Sequence, residues 1–345
     1  MRPLVDRFGR VHRYLRISLT DRCNLACNYC MPTDGTYSPS NDLLNVGEIE
    51  RVARVLVQRC GITKIRLTGG EPTTRSDFPE ILKCLSNLGL KDFGITTNGV
   101  LLKRYWDDLI AAKVGLVNIS MDTLDSDKFE LISNKPKSYW ERTWEAINEA
   151  KRYQREGAIK SLKINTVVMR HVNNDELVGL VEKLTKDDPI QLRFIELMPF
   201  AGNNFSSKLF MSKADIIKDL SEAFPLRQVE ESGGVTSSST GSDLWKVKGF
   251  RGTVGVISSM TDNFCGSCDR LRITADGNMR NCLFDSRTRE VKLVDVLRKG
   301  GNDDEIETLF RSTLSLKDFS HGGLGDSHDI HQESINNRSM IGIGG

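Results

Sequence analysis

The segment Tyr14-Leu15-Arg16-Ile17-Ser18-Leu19-Thr20-Asp21-Arg22-Cys23-Asn24-Leu25-Ala26-Cys27-Asn28-Tyr29-Cys30 runs from an apolar, β-rich stretch into a loop holding three cysteines. The same pattern, a short strand-like run closed by polar or glycine-bearing residues, recurs five times further along. Thr63–Thr68 is followed by Gly69-Gly70-Glu71-Pro72, Asp92–Thr97 by Asn98-Gly99, and Leu116–Ser120 by Met121-Asp122. Leu162–Met169 and Ile190–Leu197 complete the series, the last leading into Met198-Pro199. Helical periodicity fills the gaps. Asn45 with Glu48 reads as a capping box with Gly61 as the stop, and Asp77 with Glu80 reads as a second, with Gly89 as its stop. Six βα units in succession imply a parallel sheet with right-handed crossovers. Six falls short of eight, so the expected fold is α/β, a partial (β/α)6 TIM-like barrel, with an open doubly wound sheet as the alternative. Strand carboxyl ends in such folds open onto one mouth, so the polar segments are expected to converge there.

Composition narrows the function class. The chain has 345 residues, 39% of them hydrophobic, and its 48 Lys+Arg against 46 Asp+Glu leave a formal charge of +2. That balance argues against a protein built mainly to bind nucleic acid. No apolar run approaches the roughly 20 residues of a transmembrane helix. Arg2, Arg7, Arg10 and Arg13 near the start read as a solvated leader. Of eight cysteines, six fall in two trios, which suits metal ligation in a reducing compartment rather than a disulfide scaffold. Cys60 and Cys84, alone in helical patterns, read as buried inert thiols.

The first trio, Cys23-x3-Cys27-x2-Cys30, puts three thiolates in one loop behind a strand. Three ligands on a four-iron cluster leave one iron open for another molecule. The second trio, Cys265-x2-Cys268-x13-Cys282, has no fourth cysteine nearby, and His321, His328 and His331 are distant in sequence. A zinc site remains an alternative for either trio on spacing alone. Gly69-Gly70 permits close approach of backbone to a ligand, or simply makes a tight turn.

The first trio together with Gly69-Gly70-Glu71-Pro72 resembles the radical S-adenosylmethionine superfamily. The segment Cys265–Cys282 resembles the C-terminal cluster motif of the GTP 3′,8-cyclase family of molybdenum-cofactor biosynthesis. The likeness extends through Asp6-Arg7-Phe8-Gly9-Arg10, Thr20-Asp21-Arg22-Cys23-Asn24-Leu25, Ile195-Glu196-Leu197-Met198-Pro199 and the closing Gly344-Gly345. The resemblance implies two [4Fe-4S] clusters, one on Cys23, Cys27 and Cys30 and one on Cys265, Cys268 and Cys282, with S-adenosyl-L-methionine as cofactor. It implies that Tyr29, Gly70, Ser120 and Met198 contact S-adenosylmethionine. It likewise places Arg16, Arg66, Thr97, Lys163, Arg270, Leu271 and Arg272 at GTP, and gives Gly344 and Gly345 a catalytic part inside the site. Ser339 stands where the family often has proline, and Gly322-Gly323-Leu324-Gly325 precedes the tail.

The implied reaction is conversion of GTP to 3′,8-cyclo-7,8-dihydro-GTP, the first step of molybdenum-cofactor biosynthesis. Implied partners are an electron donor of flavodoxin or ferredoxin type and cyclic pyranopterin monophosphate synthase downstream, with no nucleic acid or membrane and with a homodimer allowed. The compartment would be the cytoplasm in a bacterium or the mitochondrial matrix in a eukaryote, any targeting peptide being absent from this chain. The expected division is 1–228 for the partial barrel, 229–330 for a smaller iron–sulfur and GTP-binding domain, and 331–345 for the tail. Glu231–Asp243, rich in Gly, Ser and Thr, reads as a loop or linker, with helical patterns near Ser212–Ala223, Val291–Leu297 and Asp303–Leu314. Two other functions compete: a peptide-modifying radical enzyme with an auxiliary cluster, and a zinc-stabilised nucleic-acid-binding module.

Overall fold

A computed structural model describes residues 1–31, 37–203, 205–229, 243–286, 289–323 and 337–344. Gly345, His328, His331, Leu324, Gly325 and positions 231–242 of the expected loop lie outside the described residues. The strands are β1 (Leu4–Val5), β2 (Val11–His12), β3 (Tyr14–Ser18), β4 (Lys64–Thr68), β5 (Asp92–Thr97), β6 (Leu116–Ser120), β7 (Ser161–Val168) and β8 (Gln191–Glu196). After them come β9 (Leu226–Val229), β10 (Asp243–Val247), β11 (Thr253–Ile257), β12 (Arg270–Ile273), β13 (Asn278–Arg280) and β14 (Val291–Lys292). The helices are α1 (Val46–Cys60), α2 (Phe78–Ser86), α3 (Trp106–Ala111), α4 (Ser126–Ser133), α5 (Lys137–Arg155), α6 (Leu177–Thr185), α7 (Lys213–Ala223), α8 (Leu293–Arg298), α9 (Asp303–Ser315) and α10 (Met340–Ile343).

Strands β3 to β8 pair in order, all parallel, as six βα units require. Their bounds fall within about two residues of those read from sequence. The sheet then continues beyond the six units at both edges. Strand β12 adds parallel to β3, and β11 adds parallel to β8. Antiparallel β13–β14 and β10–β9 extend those edges into a twelve-stranded sheet. The fold is thus a partial TIM-like barrel whose rims are lengthened by strands from the C-terminal part of the chain, and the sheet is continuous across residue 228. These edge strands were not legible as strands in the sequence.

Alternation within the parallel strands sends Leu15, Ile17, Ile65, Leu67, Ile95, Val117, Ile119, Leu162, Ile164 and Leu192 into the layer beneath the helices, all essentially buried. The Asn45–Glu48 capping box forms as read, and Gly61 closes α1 in the left-handed region at φ 77°. The Asp77 box does not form. Arg75 takes the Asp77 carboxylate at 2.7 and 2.5 Å, leaving no side-chain cap on α2, which ends at Asn87 before Gly89. Ser212 caps α7 through a box with Asp215. The pattern at Val291–Leu297 splits into β14 and α8. Cys60 is fully buried, whereas Cys84 is only half-buried.

Candidate functional site

Beyond the carboxyl ends of the parallel strands lies a chain of adjoining cavities. The first, ≈ 200 Å³, is lined by Cys23, Cys27 and Cys30 together with Tyr29, Gly70, Thr97, Ser120 and Met198. Burial is what sets the thiols: it pushes Cys23 up to about 12 and likewise raises Cys27 and Cys30 well above the ordinary thiol value. Three such thiols become ligands only where a bound cationic centre compensates the cost of the thiolate. Tyr29 donates to Asp122 at 2.7 Å, and burial raises Asp122 to about 6.

Gly69 and Gly70 are required by the chain's own backbone. A Cβ at Gly69 would meet the Thr20 carbonyl oxygen at 2.6 Å, and one at Gly70 would meet that of Arg22 at 2.4 Å. Gly70 and Glu71 amides donate to those same carbonyls at 2.6 and 2.8 Å, clamping the entry to the cysteine loop. Glu71, fully buried, accepts from the Thr73 amide and hydroxyl, the Thr97 hydroxyl and the Asn98 amide. One carboxylate therefore ties together the segments that follow β4 and β5. Thr97 is spent on this network and lines the first cavity rather than the next one.

The second cavity, ≈ 250 Å³, shares Met198, Asn165, Ile195 and Met340 with the first. Among the described residues, seven cationic side chains line it, Arg16, Lys64, Arg66, Lys163, Arg193, Arg270 and Arg272, against the single carboxylate of Asp92. The register explains the concentration. Arg272, Arg16 and Arg66 lie side by side on three adjacent parallel strands, and Arg270, Tyr14 and Lys64 form the next row. Strands there are about 4.8 Å apart. Burial, reinforced by neighbouring guanidinium groups, lowers Arg16 to about 10 and Arg272 and Arg193 to about 9. Burial would raise Tyr14, but Arg66 and its neighbours prevail and bring it down to about 7; Arg66 Nε donates to its hydroxyl at 2.8 Å. Leu271, between Arg270 and Arg272, points the other way and is fully buried in the core. Its side chain is not brought into the cavity.

The third cavity, ≈ 60 Å³, is lined by Cys265, Cys268 and Cys282 and shares Arg270, Arg272 and Leu283 with the second. His321, distant in sequence, lines it too; its Nε2 lies 2.8 Å from the Ser259 carbonyl and so acts as donor. Among the described residues, no three His, Cys, Asp or Glu side chains are grouped to hold a single metal ion.

The tail enters this interior. Ile341 and Ile343 are buried, Ile343 packing with Phe200 and Phe284. Gly344, at φ +65°, stands where a Cβ would meet Thr68 Oγ1 at 2.4 Å, and Arg272 Nη1 donates to its carbonyl at 3.0 Å.

Residues 17–184 match the radical SAM superfamily, and residues 190–322 match Molybdenum Cofactor Synthesis C. The chain is 41% identical over 345 residues to "GTP 3′,8-cyclase, mitochondrial" of Arabidopsis thaliana, covering 99% of this chain and 83% of that protein. It is 40% identical over 346 residues to the GTP 3′,8-cyclase of Rhodopirellula baltica, covering 99% and 92%. The chain belongs to the GTP 3′,8-cyclase family. Molybdenum cofactor biosynthesis protein 1 of Dictyostelium discoideum is 43% identical over 346 residues, and of that longer protein the chain spans about half, 52%. Among solved structures, Streptococcus suis SuiB bound to S-adenosylmethionine aligns with a TM-score of 0.55 at 19% identity, covering 90% of this chain and 70% of that one. SuiB bound to its precursor peptide SuiA aligns at 0.57 and 18%, covering 96% and 76%. These two share the fold.

Membership of the GTP 3′,8-cyclase family is what the sequence motifs implied, and four residues now join the set they named. Arg193 and Tyr14 line the cationic cavity, and Arg10 and Lys317 line the one beside the second trio. Arg10 corrects the expectation of a solvated leader. It is 9% exposed, and its guanidinium donates to the Cys265, Phe319 and Asp318 carbonyls at 2.7, 2.7 and 2.9 Å. Arg193 carried one usable signal, a lone cation between the apolar Leu192 and Phe194-Ile195.

Proposed function

We propose that this chain catalyses radical cyclisation of GTP to 3′,8-cyclo-7,8-dihydroguanosine 5′-triphosphate, the entry step to molybdenum cofactor. The observation that carries the reading is the row Arg272–Arg16–Arg66, held in a buried chamber between two cysteine trios. Adjacent guanidiniums repel one another, and a triphosphate offers the several negative oxygens that compensate them.

In this reading Cys23, Cys27 and Cys30 hold one [4Fe-4S] cluster, and Cys265, Cys268 and Cys282 hold the other. The buried thiols fit such centres, whose iron charge favours thiolate. Tyr29, Gly70, Ser120 and Met198 would face S-adenosylmethionine, which, when bound beside the first trio, would supply the radical chemistry that takes hydrogen from C3′ of GTP. Arg16, Arg66, Lys163, Arg193, Arg270 and Arg272 fix the phosphates and so hold the ribose toward the first cavity and the base toward the second trio. Thr97 acts through Glu71 by shaping the first cavity, and Leu271 contributes through its backbone alone. The substrate carbon radical then adds to C8 of the guanine, and one-electron reduction by the proposed electron donor with gain of a proton at N7 gives the 7,8-dihydro product. Gly344, packed on Ser18 and Thr68, fills the space beside the reacting atoms, narrows their geometry and excludes water. We assign Gly345 to the same role.

We assign residues 1–228 to the barrel unit, 229–330 to a cluster and GTP unit whose strands extend the same sheet, and 331–345 to the tail. An electron donor of flavodoxin or ferredoxin type and cyclic pyranopterin monophosphate synthase are the functional partners, and a homodimer fits the reading. The compartment is the cytoplasm in a bacterium and the mitochondrial matrix in a eukaryote. Among the described residues no helix is long and apolar enough to cross a membrane. The test is anaerobic turnover of iron- and sulfide-reconstituted protein with GTP, S-adenosylmethionine and dithionite. A product isomeric with GTP but chromatographically distinct from it, formed together with 5′-deoxyadenosine, supports the reading, and unchanged GTP with two intact clusters contradicts it.

A further inference from the structure

The N-terminal motif Asp6–Arg10 has no part in the chemistry above, yet it is wired to the second trio. Arg10 Nε pairs with Asp6 at 2.5 Å, and its remaining donors grip the loops at Cys265 and at Asp318–Phe319. That hairpin presents His12, fully buried, whose Nε2 lies 3.0 Å from Lys317 Nζ. Lys317 is 4% exposed, donates to the Arg270 carbonyl at 3.0 Å, and reaches Cys268 Sγ at 4.0 Å.

A buried ammonium is costly without an anion to face it. Four cations line this cavity, Arg10, Arg270, Arg272 and Lys317. Among its described lining residues the one carboxylate, Asp318, is engaged by Arg7 and Arg289. Asp6 is held by Arg10, and Asp285 accepts from the Asn281 and Cys282 amides at 3.0 and 2.8 Å. Among the described hydrogen-bond partners of Lys317, Cys268 is the one able to carry negative charge, while Cys265, Asp269 and Asp285 feel the ammonium at longer range.

We propose that Lys317, fixed by His12 and the Arg10-anchored hairpin, is a positioning residue that acts through Cys268 to raise the reduction potential of the cluster at the second trio. The inference rests on the proposed function, which places a cluster there. A fixed positive charge beside a ligand sulfur favours the more negative, reduced state. The N-terminal motif thereby acquires a purpose: it keeps an ammonium aimed at a metal ligand more than 250 residues away.

The experiment uses the reconstituted full chain and an electron-paramagnetic-resonance-monitored redox titration. Signals from the first trio are recognised by their change on adding S-adenosylmethionine, so the second midpoint is read separately. Lys317→Met should lower that midpoint by about 59 mV or more, a tenfold change in equilibrium constant for a one-electron couple. Iron content and the first midpoint should stay at wild-type values, and Lys317→Arg should keep the second midpoint near wild type. A Lys317→Met protein with full iron and an unmoved second midpoint overturns the proposal while leaving the proposed function standing. A wild-type protein that binds only one cluster overturns both. Should Lys317→Met shed the second cluster, His12→Phe repeats the reading with the charge retained but its anchor removed; a lowered midpoint supports the proposal and an unchanged one overturns it.

Discussion

Arg272 Nη1 donates to the carbonyl oxygen of Gly344 at 3.0 Å, and both residues are buried. The strand that follows the second cysteine loop therefore grips the tail inside the barrel. Arg338 secures the same tail from behind through Glu290 at 2.6 Å and Asp276 at 2.8 Å.

Gly344→Ala should uncouple the reaction. The new Cβ would stand 2.4 Å from Thr68 Oγ1 and 3.0 Å from Ser18 Cβ, on a backbone at φ +65° that disfavours side chains. Displacement of reacting atoms by about 1 Å costs on the order of a hundredfold in rate. Cleavage of S-adenosylmethionine and GTP affinity should persist while cyclised product falls by roughly that factor. Product formation at the wild-type rate would show that the tail's placement is irrelevant to the chemistry.

Arg193→Met should have opposite effects on stability and binding. Arg193 is 7% exposed, donates to Asn165 Oδ1 at 2.9 and 2.6 Å, and sits among like charges. Replacing a buried cation by an apolar group of similar size is often neutral or stabilising, so Tm of the ligand-free protein should hold or rise. Hydrogen bonds to charged groups contribute about 1.5–3 kcal/mol, so GTP affinity should fall roughly ten- to hundredfold. Calorimetry reads both quantities, and unchanged affinity would remove Arg193 from the binding set.

Tyr14 gives the chamber a pH response. With the phenol brought down to about 7 by Arg66 and its neighbours despite burial, phenolate accumulates as pH rises through 7. That added negative charge opposes a triphosphate, so GTP affinity should weaken from pH 7 to 9, and Tyr14→Phe should flatten the profile. Ultraviolet titration of the phenol checks the premise directly. No phenolate signal below pH 9, beyond that of Tyr14→Phe, would contradict it.

The six-unit sheet was legible because each parallel strand is a short apolar run closed by a polar segment, and the capping chemistry at Asn45 is local. Asp77 misled because Arg75, two residues before it, competes for the same carboxylate. Arg16, Arg66 and Lys163 announced themselves as charges in strands. Arg193 obeys the same rule, as a charge on a parallel strand directly before the motif Ile195–Pro199. Arg10, His12 and Lys317 could not be read as a group, since their contacts join the two ends of the chain, and His321 meets Ser259, remote in sequence. Strands β11 and β12 were hidden as parts of the barrel sheet because their parallel partners, β8 and β3, are remote in sequence.

The two trios should separate by variant. Cys27→Ala should remove about half the iron and all cleavage of S-adenosylmethionine, because its thiol lines the first cavity. Cys268→Ala should leave cleavage measurable while abolishing cyclisation, because its thiol lines the cavity that shares Arg270 and Arg272 with the cationic chamber. Iron analysis with product quantification checks both, and full iron with normal cleavage in the Cys27 variant would refute the assignment of the first trio.

The central claim is that one interior brings the radical made at the first trio to the ribose of a GTP held by the arginine row. Anaerobic turnover with GTP deuterated at C3′ tests it most directly, with mass spectrometry of the 5′-deoxyadenosine formed. Transfer of one deuterium into that nucleoside, matched by cyclised product, is the expected result. Unlabelled 5′-deoxyadenosine accompanied by intact GTP would contradict the account.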